Sequence, residues 1–170
     1  KSNKMKSSNL LIILTIFISF TSTSQKKIPR YGKIDKKVLI ERSNENYPGA
    51  NGYYIFDSGE TYFEIDKLYF KDDSKSGSLF TIVSKRHFRI KILKEEALYL
   101  GEIIIPFYRE NQTKEKVYNI KATTYNMKDG KLVKAKLPKD LMYTEEISEN
   151  WSRVKFKLPE MEIGSIIEVT

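Results

Sequence analysis

The sequence predicts an all-β fold, an antiparallel β-sandwich, and three observations carry that expectation. Apolar and polar residues alternate with period two: Phe80, Ile82, Phe88, Ile90 and Ile92 share one parity, and Thr81, Lys85, His87, Arg89 and Lys91 share the other. Successive side chains of a strand point to opposite sides, so this pattern puts one face in a core and the other in water. Asp129-Gly130 stands between two strand-like runs. Both residue types accept positive φ, and a two-residue turn of that kind matches the twist of the strands it joins. Finally, strand-sized segments follow one another at short spacing, with no long amphipathic helix between them. That order favours hairpins over βαβ units.

Taken in order, residues 1–24 read as a secretory signal peptide. Lys4-Met5-Lys6 is basic, residues 10–20 are an apolar run, and the small Ser22 and Ser24 place cleavage ahead of Gln25. The run is shorter than the roughly 20 residues that span a bilayer, so no stable membrane anchor is expected after cleavage. Residues 25–46 form a lead-in, within which 36–45 suits a short helix or a strand. Residues 47–170 form the sandwich, whose last strand runs up to Thr170, so the domain is expected to be truncated there. Tyr47-Pro48-Gly49 opens a turn cluster. Residues 53–56 then read as a strand, 57–60 (Asp-Ser-Gly-Glu) as a turn and 61–65 as the return strand of a hairpin. Residues 71–78 read as an exposed loop. In the strand that follows, Ser84 and Arg86 interrupt the apolar parity, which predicts a bulge or an edge. Residues 95–98 suit a helical turn. Residues 103–105 read as a buried strand that Pro106 ends. Further strands are expected at 117–127, 132–137, 151–158 and 166–169.

With 170 residues the chain suffices for one domain with a real core. Thirty Lys and Arg stand against 22 Asp and Glu, a net charge of +8, but the two signs are interspersed and no basic block points to nucleic acid. There is no Cys and a single His. The composition therefore excludes a thiol nucleophile, a disulfide framework and a Cys- or multi-His metal centre.

Three groups of residues merit weighing as chemistry. His87 lies among cations and has no Ser or Asp beside it in sequence, so it reads as a solvent-facing strand residue rather than an acid–base group. Asp57 and Glu60 could be paired carboxylates, though Asp, Ser and Gly recur in turns for backbone reasons alone. The aromatic series around Tyr53, Tyr62 and Tyr69 could present a stacking face to a glycan or a peptide; packing in a core is the commoner use. No catalytic residue, no metal ligand and no cofactor is assigned.

Several motifs occur in a fixed order: Tyr31-Gly32-Lys33-Ile34, residues 56–63 (Phe-Asp-Ser-Gly-Glu-Thr-Tyr-Phe), residues 86–94 (Arg-His-Phe-Arg-Ile-Lys-Ile-Leu-Lys), Lys121-Ala122-Thr123-Thr124-Tyr125-Asn126 and Gly164-Ser165-Ile166-Ile167-Glu168. Together they resemble the N-terminal domain of unknown function that precedes transglutaminase-like domains in secreted proteins of Bacteroidota. The resemblance implies a sandwich similar to the N-terminal β-domain of the M1 aminopeptidases. It also implies a periplasmic or secreted location, and a downstream transglutaminase-like domain of the same polypeptide that holds the catalytic Cys. The expectation is a non-enzymatic module that packs on that domain or presents substrate to it. A free-standing periplasmic module that binds glycan or peptide is the alternative.

Overall fold

The computed structural model describes residues 28–69, 76–109 and 115–170; for 66–69 and 76–79 it describes the backbone alone. The expected signal peptide and residues 71–75 of the expected loop lie outside the described residues, whereas 76–78, expected in that loop, are strand. Two antiparallel sheets make up the fold. One has five strands in the order β1-β2-β8-β4-β5, the other three in the order β3-β7-β6. The strands are β1 (Gly52–Tyr69), β2 (Ser76–Ile92), β3 (Glu102–Tyr108), β4 (Ala122–Lys128), β5 (Lys131–Lys136), β6 (Tyr143–Glu146), β7 (Trp151–Lys157) and β8 (Ile166–Val169). A five-residue helix, α1 (Lys36–Ile40), precedes them. Asp35 caps it by accepting from the Lys37 amide at 2.9 Å. The helical turn expected after β2 is a 3-10 helix at Glu95–Gly101.

The β4–β5 hairpin follows the Asp-Gly signal directly. Asp129 and Gly130 have φ of 51° and 71°, and Lys128 faces Lys131 across the turn. The first hairpin differs from expectation. Residues 57–60 do not turn; β1 runs through them and pairs with β2 from Gly52↔Ile92 to Tyr69↔Ser76. Asp57 is held in the strand by Arg86, whose Nε and Nη2 donate to its two carboxylate oxygens at 2.9 and 2.6 Å. A local turn signal thus loses to a long-range bidentate ion pair and a full strand ladder. The irregularity foreseen at Ser84 and Arg86 lies instead in β1, where the register shifts between Tyr54 and Phe56. Ser84 and Arg86 do mark an edge, because β8 accompanies β2 only from Phe88 to Lys91.

Two further boundaries are corrected. Pro106 does not end β3 but sits inside it, opposite Arg153. β3 is an edge strand of its sheet, so an absent N–H can point away from the ladder at no cost. The strand expected from residue 117 begins only at Ala122, after Asn119 takes a φ of 57°. β6, fully exposed and four residues long, had no signal in the alternation.

The sheets share one core. Phe88, Ile90, Ile92, Ala122, Ile167 and Val169 from the larger sheet meet Val154, Phe156 and Leu158 from the smaller. A second, smaller cluster lies on the other side of the five-stranded sheet. There Leu39 of α1 packs on Tyr125 and Ile166, with Ile34 and Val38 at its margin. The central strands of the five-stranded sheet are therefore covered on both faces, by β3 and β7 on one and by segment 30–40 on the other. That second cover creates the candidate site.

Candidate functional site

Register assembles a charged cluster on the outer face of the larger sheet. β8 lies between β2 and β4, and Glu168 stands opposite Arg89 on one side and Thr123 on the other. Arg89 shares its face with His87 and Lys91, two residues away in each direction. The alternation therefore brings His87, Arg89, Lys91, Thr123, Tyr125 and Glu168 together, and segment 30–40 closes over them.

Glu168 is fully buried, and its carboxylate is saturated with donors. Oε1 accepts from His87 Nε2 and from Arg89 Nε, each at 2.8 Å, and Arg89 Nη2 completes an ion pair with it at 2.7 Å. Oε2 accepts from the Gly32 amide and the Tyr125 hydroxyl, each at 2.8 Å. Arg89 also donates to the Arg30 carbonyl at 2.9 Å, and Tyr31 shares a 2.7 Å hydrogen bond with Thr123. Gly32 has a φ of 83°, which suits glycine and lets the chain turn its amide to the carboxylate. Nearby, the buried ammonium of Lys91 donates to the carbonyls of Leu39 and Gly164, at 2.6 Å each. It thereby ties the end of α1 to the turn before β8.

These burials show in the titration of the cluster. Burial, helped by the charge of Arg42, pushes the Lys91 ammonium down to about 8. Burial and then the Glu168 carboxylate push the Tyr125 phenol above its ordinary range, and burial does the same to Tyr31. The rings of Phe56 and Tyr31 flank His87, Phe56 edge-on at 4.8 Å between centroids. His87 is thus not the solvent-facing residue its parity suggested: the side chains of Glu168, Tyr31 and Phe56 cover it there. In the sequence Glu168 figured only as a strand residue and the last position of an ordered motif; nothing there marks its partners, which lie between 43 and 136 residues away.

The other candidates fall elsewhere. Asp57 and Glu60 sit on opposite faces of β1, since Asp57 faces Phe88 and Glu60 faces Lys85; the ion pair with Arg86 holds the Asp57 carboxyl below its usual range. Tyr53 and Tyr62 share the outer face of β1 but stand nine residues apart, roughly 30 Å at about 3.3 Å per residue. The Tyr53 hydroxyl donates to Glu41 at 2.7 Å, and its ring lines a shallow open depression with Asn46, Tyr47 and Pro48. The Tyr62 ring carries the Lys85 ammonium at 4.6 Å. Tyr69 pairs with Ser76, and its side chain lies outside the described residues. Among the described residues no group of three or more His, Cys, Asp or Glu could hold a metal ion, and no helix is long and apolar enough to cross a membrane.

Fold and site together define a two-sheet, all-β protein whose densest charge cluster closes its own interior. Set beside protein-family models, curated proteins and solved structures, the chain matches none of them.

Proposed function

We propose that the chain is a non-catalytic β-sandwich module of a secreted or periplasmic transglutaminase- or protease-like protein. In this reading it packs on a downstream catalytic domain of the same polypeptide or presents substrate to it, and its sandwich is of the kind found at the N-terminus of M1 aminopeptidases. The observation that carries the reading is the saturation of Glu168. The one histidine and, among the described residues, the one fully buried carboxylate are spent on each other, on Arg89 and on Gly32. An acid–base pair needs a free face towards a reacting group. Here the carboxylate is consumed in fastening segment 30–40. The ordered motifs from Tyr31 to Glu168 support the choice of partner domain.

The test uses the polypeptide that carries both domains. Removing this module is expected to lower transamidation or hydrolysis by the catalytic domain, while the module alone turns over neither a glutamine-donor peptide nor a casein substrate. Turnover by the module alone would overturn the reading. The exposed ring of Tyr47 beside Tyr53 at the open depression favours a second one, a glycan- or peptide-binding module. Titration with oligosaccharides and peptides, followed by tyrosine fluorescence and repeated with Tyr53→Ala, checks it.

A further inference from the structure

Beyond Phe88 the β1–β2 ribbon leaves the body of the protein as a two-stranded arm. The ribbon face that carries Phe88 into the core continues outward through Asp57 and Arg86, then Thr61 and Ser84, to Phe63, Ile82, Ile65 and Phe80. The Asp57–Arg86 pair and a 3.1 Å hydrogen bond between Thr61 and Ser84 close off the core. Past them the face turns apolar again, now in the open: Phe63, Ile82, Ile65 and Phe80 are 70, 64, 60 and 69% exposed.

Single exposed apolar residues are ordinary on a protein surface, but four in two adjacent cross-strand pairs form a patch. At about 200 Å² for a fully exposed large side chain, the four present roughly 500 Å². Two such patches would bury about 1,000 Å² together, the lower bound for a specific interface.

The pattern inside the patch indicates what covers it. Register sets Phe63 beside Ile82 and Ile65 beside Phe80. The four form a checkerboard, with phenylalanines on one diagonal and isoleucines on the other. Lay a second copy face to face about a two-fold axis in the contact plane. With the axis along the strands, Phe63 meets Ile82 of the second copy and Phe80 meets Ile65. With the axis across the strands, Phe63 meets Ile65 and Phe80 meets Ile82. In both arrangements each aromatic ring lies over an isoleucine and never over its own kind. The patch carries no charge, so its burial desolvates none. A two-fold interface must be complementary to itself, and this one is.

We propose that the apolar face of the arm is a homodimer interface, on which two copies pack ribbon against ribbon as the layers of a second, smaller sandwich. The proposal concerns a surface remote from Glu168, so its failure leaves the module reading untouched. Sedimentation equilibrium from about 1 to about 500 µM tests it, a range suited to an interface of this modest size. The wild-type chain is expected to pass from monomer to dimer and stop there. The double variant Phe63→Thr/Ile82→Thr, exposed and still β-favouring, is expected to stay monomeric with unchanged circular dichroism and melting temperature. A wild-type chain that remains monomeric, grows beyond a dimer, or dimerises equally well in the double variant overturns the proposal.

Discussion

At Glu168 a single buried carboxylate holds a guanidinium, an imidazole, a phenol and a backbone amide. Breaking such a cluster from one side leaves the rest uncompensated. Glu168→Gln should therefore destabilise the protein by about 3 kcal/mol or more, read as a fall in the urea midpoint. A change within experimental error would mean that the cluster adds little. Lys91 gives the pH dependence its sign. Its ammonium deprotonates near 8 in the folded chain and near 10.5 when unfolded. Between those values the unfolded chain binds more protons, so stability rises with pH. From about pH 10 the phenols of Tyr31, Tyr53 and Tyr125, all pushed up by folding, act in the opposite sense, because the unfolded chain ionises them first. Urea midpoints are expected to climb from pH 8 to pH 10 and then fall, and Lys91→Met should remove the climb. Of this cluster, the sequence shows the parity of His87, Arg89 and Lys91. It does not show Glu168 as their partner, because β8 comes beside β2 only through a pairing across some 80 residues.

Among the elements, the β4–β5 hairpin is legible because its signal is local: two adjacent residues set the turn. Gly130→Ala meets open space, so it pays for backbone strain alone, about 1 kcal/mol. Gly52→Ala should cost more, roughly 1–3 kcal/mol. A Cβ there would come within 2.8 Å of the Lys91 carbonyl oxygen and 3.1 Å of the Ala97 Cβ, neither of which can swing aside. Thermal melts of the two variants should rank them in that order; the reverse would contradict the close packing of the 3-10 helix on the start of β1. The Asp-Ser-Gly-Glu run at 57–60 shows the limit of local signals. The same residue types that make turns can sit in a ladder when an arginine 29 residues on supplies both hydrogen bonds to the aspartate.

For the whole molecule, protection should be uneven. β8 is bracketed by β2 and β4 and covered on both faces, whereas past Phe88 the strands β1 and β2 pair only with each other among the described residues. Amides of Ile166–Val169 and Ala122–Lys128 are expected to exchange with deuterium far more slowly than those of residues 81–86 at low protein concentration. Equal protection would show that the arm is covered even in the monomer.

The sequence by itself determined the strand periodicity, the Asp-Gly hairpin and the membership of each face of β2, because those follow from the pleat and from backbone preferences over a few residues. Only the tertiary structure decided which faces meet water. Along β2 it reverses the simple expectation at both ends. On the polar parity, Arg89 and Lys91 are 4 and 0% exposed, because Glu168 and the carbonyls of segment 30–40 and Gly164 supply their partners. On the apolar parity, Phe80 and Ile82 stand open, because β8 leaves β2 at Phe88 and the core shared by the two sheets ends there. Alternation encodes sidedness; burial depends on what the rest of the chain brings to each side.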